Sequence, residues 1–163
     1  MTETISQPAV QQLPAELLSS ALFLLKRLGM AAKERSLDEY EKAGLHPYHY
    51  AILALLDEGE RETQGAIADA LGYDKGQLVG LLDELEDAGL VERRRDPSDR
   101  RRQTVSMTAA GRKTLEKLRA LSRRLDEDFL APLDEGERRE LHALLLRLCE
   151  QHLPNCRVLG ARK

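Results

Sequence analysis

Six arginines fall within ten residues of the chain, at Arg93–Arg95 and Arg100–Arg102. A solvated charge cluster is the ordinary explanation of such a run. Like charges crowded at the tip of a short hairpin repel one another, however, so an anionic partner would give the cluster a reason to exist. Phosphate is the simplest such partner, since each neutralised phosphate also releases counterions. The spacing predicts contact with a nucleic-acid backbone and with a narrow A·T-rich minor groove, which attracts guanidinium groups.

A second candidate contact with nucleic acid lies on the helix that begins after Asp74. Asp74 is a good N-cap, and the first exposed positions after it are Lys75, Gly76, Gln77 and Val79. The N-terminal part of such a helix meets base edges in the major groove. Gln77 suits adenine and Lys75 suits guanine or a phosphate, whereas Val79 offers only a methyl contact to thymine. Gln77 is also placed to complete a capping box with Asp74, and both roles stay open.

The elements that must position these residues are marked by capping and turn residues. Thr63 caps a short helix over 64–71, and a second helix follows from Asp74. Two alternating stretches, 90–94 and 103–107, are predicted as strands joined by an Asp-Pro-Ser-Asp turn. A helix-turn-helix followed at once by a basic hairpin predicts a winged helix. The expected fold class is therefore mainly α with a small β-hairpin wing (α+β).

Long amphipathic helices flank this unit. Leucine and alanine recur at helical spacing over 15–40, and a mostly apolar helix follows over 48–57. A further long helix begins at Thr108. Asp134 and Glu137 then form a capping box that opens the last helix.

At the wing the sequence resembles the MarR family (multiple antibiotic resistance regulators) of bacterial transcriptional regulators. Residues 96–101, Asp-Pro-Ser-Asp-Arg-Arg, are similar to the family's wing signature Asp-Pro-x-Asp-Arg-Arg. Residues 105–111, Val-Ser-Met-Thr-Ala-Ala-Gly, resemble the Leu/Met-Thr-x-x-Gly helix start that follows it. Residues 89–93, Gly-Leu-Val-Glu-Arg, match the usual entry to the wing, and the resemblance runs from about Leu13 to Gln151.

The resemblance implies a homodimer whose N- and C-terminal helices interlock and which presents two winged helices to a pseudo-palindromic site in double-stranded DNA. The leucine stripes of 13–32 and 125–148 exceed what one small core needs, which favours dimerisation over packing within a single chain. We expect a flexible arm, an N-terminal dimerisation helix, a winged helix-turn-helix DNA-binding domain, C-terminal dimerisation helices and a flexible tail, over 1–12, 13–46, 47–108, 109–153 and 154–163.

The resemblance also implies roles for individual residues. Arg101 would reach the minor groove with Asp99 as its brace, while Arg100 and the helix start at Thr63 and Gln64 would hold phosphates. The predicted DNA-binding residues are Thr63, Gln64, Lys75, Gly76, Gln77, Val79, Arg93, Arg94, Asp99, Arg100 and Arg101.

The helix that follows Asp74, which the resemblance makes the recognition helix, departs from the family pattern. Members often carry Ser, Thr or Arg where this chain has Val79 and Gly80, and sometimes Arg where it has Glu84. Gly76 and Gly80 each lower helix stability by roughly 1 kcal/mol relative to alanine, for which close approach of DNA or another backbone is one reason. A short supply of polar contacts predicts a degenerate DNA motif.

Family members commonly release DNA when a small, often aromatic or anionic, effector binds between the dimer helices and the winged helix. Ordinary packing is the alternative explanation of an aromatic cluster in that region. His46 is distinctive because it stands where a Ser or Thr often caps the helix that Pro47 begins. The candidate effector contacts are Tyr40, His46, Tyr48, His49 and Tyr50.

The two cysteines, Cys149 and Cys156, flank His152. They are too few for a disulfide scaffold, and three ligands fall short of a closed zinc site without help from another chain. An inert Cys149 is the favoured interpretation. The sequence predicts no metal site and no cofactor.

The net charge of −3, from 25 Lys+Arg and 28 Asp+Glu, hides a segregation of charge. Residues 90–124 hold 12 basic and 4 acidic residues, a local +8, and the other 128 hold 13 and 24, a local −11. An acidic body with a basic strip should discourage non-specific binding elsewhere on its surface.

No apolar run approaches a membrane span, no signal peptide is visible and no catalytic motif is present, so we expect a cytoplasmic bacterial protein that is not an enzyme. The predicted function is a homodimeric, sequence-specific transcriptional repressor that occupies a promoter. The alternative is a winged-helix protein–protein adapter without specific DNA binding.

Overall fold

The computed structural model describes residues 12–59 and 61–153. No helix in this part of the chain is both long and apolar enough to span a membrane. The arm and the tail predicted at the two ends lie almost wholly outside the described residues. The elements in chain order are α1 (Ala15–Leu18), α2 (Ala21–Lys42), α3 (Pro47–Gly59), β1 (Arg61–Thr63), α4 (Gln64–Leu71), α5 (Lys75–Asp87), β2 (Val91–Arg95), β3 (Gln103–Met107), α6 (Ala109–Phe129) and α7 (Glu135–His152).

The prediction of one continuous helix over 15–40 is wrong at its beginning. α1 ends at Leu18, and the Ser20 hydroxyl accepts the Phe23 N–H at 3.3 Å, so that Ser20 caps a new helix. Serine hydroxyls compete with the helical backbone for hydrogen bonds, which apolar periodicity does not register. The predicted end is confirmed, because Gly44 follows α2 with a φ of +71°.

The wing belongs to a three-stranded antiparallel sheet in the order β1-β3-β2. The hairpin of β2 and β3 is confirmed, and it pairs Val91 with Met107 and Arg95 with Gln103. The sequence did not predict β1, which pairs Thr63 with Thr104. A strand of three residues is too short to show an alternating pattern, and its partner lies about forty residues away along the chain.

The apolar core lies in and around the winged helix. α5 turns its leucines inward as predicted, and α3, α4, β3 and α6 close over them. α1 and α7 contribute no buried residue. The fully or nearly fully buried apolar side chains are Tyr40, Ile52, Leu53, Leu56, Ile67, Ala68, Leu78, Leu81, Leu82, Leu85, Leu90, Val91, Val105, Met107, Leu115 and Leu118.

The Thr-x-x-Gly segment that follows the wing has a steric purpose. The Thr108 hydroxyl accepts the Gly111 N–H at 3.0 Å and donates to the Gly89 carbonyl at 2.7 Å, so it caps α6 and ties it to the end of α5. A Cβ atom at Gly111 would overlap the Leu90 carbonyl oxygen. Glycine at this position therefore allows α6 to cross the chain where it enters the wing.

Candidate nucleic-acid interface

The wing tip is closed by local hydrogen bonds. Asp96 Oδ1 accepts the Ser98 N–H at 2.8 Å and the Ser98 hydroxyl at 2.6 Å, which lowers the pKa of the Asp96 carboxyl. The Arg102 N–H donates to the Asp99 carbonyl at 2.8 Å, and the Asp96 N–H donates to the Arg102 carbonyl at 2.9 Å. These bonds hold the loop in one shape, so the arginines between them leave it in defined directions.

Asp99 lies where it can brace the two arginines that follow. Its Oδ1 accepts the Arg101 backbone N–H at 3.0 Å and lies 3.7 Å from the Arg101 Nε, while its Oδ2 lies 3.6 Å from the Arg102 Nε. The Arg101 side chain nevertheless remains 96% exposed. The Arg101 guanidinium therefore lies near a carboxylate but remains accessible to an anion, and the role of Asp99 as its brace stays a prediction.

Arg93 lies in a different environment from Arg100 and Arg101 at the tip of the wing, although all three are predicted DNA-binding residues. Its guanidinium donates to Glu86 Oε2 at 2.9 Å through Nε and lies 2.5 Å from Asp83 Oδ1, with 18% of the side chain exposed. The Arg93 N–H also donates to Glu86 Oε1 at 3.0 Å, and these bonds lower the pKa of the Glu86 carboxyl. Arg93 therefore fastens β2 to α5.

Arg94 points to the other side of β2, as strand alternation requires. A guanidinium nitrogen of Arg94 lies 3.1 Å from Glu92 Oε2, and the Arg94 side chain is mostly exposed. The outer face of the hairpin thus keeps accessible positive charge, while its inner face is committed to α5.

A cleft of about 570 Å³ lies between the start of α4 and the wing. The Thr63 hydroxyl accepts the Ala66 N–H at 3.1 Å, as the predicted cap requires. The pairing of β1 with β3 brings this helix start beside the wing arginines. The positive end of a helix dipole and two guanidinium groups together favour an anion in this space. The cleft is lined by Thr63, Gln64, Gly65, Ala66, Asp69, Arg101, Arg102 and Gln103.

The start of α5 is capped as predicted, but by Asp74 alone. Asp74 Oδ1 accepts the N–H groups of Gly76 and Gln77 at 2.9 and 3.2 Å. The return bond from the Gln77 side chain does not form, so of the two roles left open for Gln77 the capping box is excluded. Gln77 is exposed and its amide is not held by the cap.

The exposed face of α5 has an apolar residue and a glycine at Val79 and Gly80, with Lys75 and Gln77 before them and Asp83 and Glu84 after them. Val79 is 41% exposed, whereas the other exposed large apolar side chains of the described residues lie in the terminal helices and the segments that flank them. Beside it, a Cβ atom at Gly80 would meet no atom within 4 Å. The glycine is therefore not required by packing inside this chain, which leaves a flat surface around Val79.

The positive charge of α6 is partly neutralised within the fold. A guanidinium nitrogen of Arg119 lies 2.7 Å from Asp57 Oδ2 on α3. A guanidinium nitrogen of Arg124 lies 3.2 Å from Glu39 Oε2 on α2. These pairs fasten α6 to its neighbours. Two of the cations in the basic strip predicted over residues 90–124 are therefore paired with carboxylates of α2 and α3.

The candidate effector residues pack against one another. The ring centroids of Tyr40 and Tyr50 are 6.1 Å apart, and those of His46 and Tyr48 are 4.6 Å apart. His46 does cap α3, because its Nδ1 accepts the Tyr48 N–H at 3.2 Å. None of these side chains lines the cleft beside the wing or the cavity along α7. Effector binding by Tyr40, His46, Tyr48, His49 and Tyr50 stays a prediction.

Two contacts join residues that are far apart in the chain and that the sequence did not predict. Glu84, notable in the sequence only as a departure from a family pattern, places its Oε2 2.8 Å from the Nε2 of His49. The ring of Tyr73 packs 5.0 Å from that of Tyr48. No local spacing could have revealed either contact. Cys156 lies outside the described residues, so its relation to Cys149 stays a prediction.

A short strand, a helix pair and an arginine-rich β-hairpin that pairs with the short strand define the winged-helix class. The family model described as "MarR family" matches residues 43–102. The chain is 34% identical over 109 residues to the transcriptional regulator HosA of Escherichia coli O111:H-, covering 67% of this chain and 80% of HosA. It is also 35% identical over 108 residues to a protein of Thauera aromatica that carries the name of a transcriptional regulatory protein for the hcr operon. That match covers 66% of this chain and 65% of the Thauera protein.

Among solved structures, the transcriptional repressor CouR bound to a 23-mer DNA duplex superposes with a TM-score of 0.77 at 31% identity, covering 85% of this chain and 99% of CouR. This chain belongs to the MarR family of winged-helix transcriptional regulators. The relatives named here are regulators of transcription, which agrees with the prediction that the protein is not an enzyme.

Proposed function

We propose that this protein is a homodimeric repressor that binds a pseudo-palindromic promoter site in double-stranded DNA. The observation that carries the proposal is the cleft in which the start of α4 faces the exposed, Asp99-braced Arg101. A phosphate in this cleft would meet backbone N–H groups and guanidinium groups at once, and Arg101 would extend into the neighbouring minor groove. That CouR, which shares this fold at 31% identity, was solved bound to a DNA duplex supports DNA as the partner.

Within this proposal the predicted DNA-binding residues fall into three groups according to where they lie in the structure. Thr63, Gln64, Arg94, Arg100 and Arg101 contact the DNA backbone or the minor groove. Lys75, Gly76, Gln77 and Val79 face the major groove, with Gln77 free to reach a base because the capping box does not form. Asp99 acts through Arg101, and Arg93 acts by holding the wing against α5.

Replacing Arg101 by alanine should weaken binding to DNA fragments selected by the wild-type protein by about tenfold or more, and should reduce the salt dependence by about one charge. Arg123, an exposed arginine of α6, is the matched control, since Arg123→Ala removes the same charge away from the wing. Fluorescence anisotropy at several salt concentrations measures both quantities. Equal effects of the two substitutions, or wild-type binding that does not change with salt, would favour the adapter alternative.

The homodimer rests on the apolar side chains of the terminal helices. Leu22, Leu28, Leu144 and Leu148 are exposed in the single chain, and burying them against a second copy removes apolar surface from water. Truncating Leu22 and Leu148 together should weaken self-association by about 100-fold, because each dimer loses four side chains. Sedimentation equilibrium measures the dissociation constant. A wild-type protein that stays monomeric at micromolar concentration would contradict the proposal.

We further propose that a small aromatic or anionic effector releases the DNA. It would contact the half-buried rings of His46, Tyr48 and Tyr50 between the terminal helices and the winged helix. Screening aromatic carboxylates for a rise in the thermal midpoint tests it, with Tyr50→Ala expected to abolish the rise. A rise that Tyr50→Ala leaves unchanged would place the effector elsewhere.

A further inference from the structure

His49 is a buried side chain that the proposed function does not use. Among the polar side chains in the described part of the chain it is the one classed as buried, with 5% of its surface exposed. Both ring nitrogens have a neighbour. Nδ1 accepts the His46 backbone N–H at 3.1 Å, and Nε2 lies 2.8 Å from Glu84 Oε2 on α5.

These contacts fix the tautomer of the ring. Because Nδ1 accepts a backbone hydrogen, the neutral imidazole carries its own hydrogen on Nε2, the nitrogen that lies 2.8 Å from Glu84 Oε2. Burial lowers the pKa of His49, although the Glu84 carboxylate acts in the opposite direction. The charged or titratable neighbours that face the ring are Glu84 on α5 and His46 in the segment before α3.

This polar contact differs in kind from the apolar contacts between α5 and the core. The leucines of α5 pack through apolar surface, which holds the helix down but has little directional preference. Glu84 Oε2 lies 2.8 Å from the buried ring nitrogen of His49 on α3, and Asp83 and Glu86 form ion pairs with Arg93 of the wing. Rotation of α5 about its axis would separate the partners of both sets.

We propose that His49 and Glu84 form a clamp that sets the orientation of α5, so that His49 is a positioning residue for the reading of DNA bases. The inference rests on the proposed function, because it concerns how α5 meets DNA. Glu84 itself need not touch the DNA. Its carboxylate holds the helix in the rotation that presents Lys75, Gln77 and Val79 to the major groove.

The test compares two carboxylates of the same helix. Glu84→Ala removes the acceptor of His49, Glu84→Gln keeps an acceptor oxygen without the charge, and Asp87→Ala removes one exposed negative charge elsewhere on α5. The probes are duplexes enriched from a random pool by the wild-type protein and, for non-specific binding, poly(dI-dC).

Glu84→Ala should lower the ratio of specific to non-specific affinity at least about fivefold relative to Asp87→Ala, and Glu84→Gln should restore most of it. Both alanine variants lose one negative charge, so their non-specific affinities should rise together. Equal ratios for Glu84→Ala and Asp87→Ala, or no rescue by glutamine, would overturn the clamp.

A second measurement does not depend on DNA. In the free wild-type protein the ¹⁵N signals of His49 should show a protonated Nε2 and an unprotonated Nδ1. Glu84→Ala should shift the backbone amide signals over residues 75–79, whereas Asp87→Ala should leave them in place. A wild-type protein with no preference for any DNA sequence would overturn the proposed function, and these NMR signals would then decide the clamp by themselves. Unshifted amides in Glu84→Ala would overturn it.

Discussion

The winged helix and the terminal helices treat the same residue type in opposite ways. Leucines of α3, α5 and α6 are buried or partly buried, whereas Leu22 of α2 is 78% exposed and α7 leaves Leu144, Leu145 and Leu148 at the surface. Both regions have apolar residues at helical spacing, so amphipathicity by itself does not distinguish them. The winged helix and α6 therefore share one closed core, while the ends of the chain present apolar surface that a second copy can cover.

The largest expected effect separates the two regions by stability. Leu82→Ala should lower the free energy of unfolding by about 3 kcal/mol, because Leu82 is fully buried and its truncation leaves a cavity. Leu22→Ala should change the stability of the single chain by less than about 0.5 kcal/mol. Urea denaturation at a concentration where the protein is monomeric measures both. Similar losses for the two variants would show that the beginning of α2 packs into the core.

A pair of glycines sharpens the comparison inside the winged helix. Gly111→Ala should destabilise the protein by about 2 kcal/mol, because the new methyl group overlaps the Leu90 carbonyl. Gly80→Ala should stabilise it by up to about 1 kcal/mol, since the added methyl group meets open space within a helix.

Thermal denaturation measures the two glycine variants under the same conditions. If Gly80→Ala also weakens binding to the selected duplexes, the open surface beside Val79 is required for DNA to approach. Destabilisation by Gly80→Ala would contradict the open surface that the structure shows.

The smallest expected effect is a dependence on pH within the buried region. Burial lowers the pKa of His49 in the folded chain, so below the unfolded value of about 6.5 the unfolded chain binds a proton that the folded chain does not. The free energy of unfolding should therefore fall as the pH drops below about 6.5. This loss should end once the pH is below the pKa of His49 in the folded chain. The difference between the wild-type profile and that of His49→Gln isolates the contribution. Parallel profiles from pH 7 to pH 5 would contradict it.

Most of the winged helix could be predicted because its markers act over short distances. Thr63, Asp74, Thr108 and Asp134 each bond to a backbone N–H two or three residues ahead, and the wing turn is closed within seven residues. The errors arose where a side chain competed with the helix, at Ser20, or failed to complete a reciprocal bond, at Gln77. Periodicity and capping patterns do not distinguish these outcomes.

The candidate site could be predicted in composition but not in arrangement. The sequence located the arginines of the wing, yet it could not separate Arg101, which is braced and exposed, from Arg93, which is bound to α5. Whether an arginine is free depends on which carboxylates the fold brings beside it. The carboxylate partners of Arg93 lie seven and ten residues earlier, on another element.

Most of the helices, the hairpin of the wing and the segregation of charge follow from the sequence alone, because capping, turns and periodicity depend on residues close together in the chain. The fold as a whole sets which charges remain free, which leucines remain exposed and which glycine the packing requires. It also decided that His49 meets Glu84, 35 residues further along. Such contacts depend on how elements are placed relative to one another, and that placement results from burial of the whole core rather than from any local pattern.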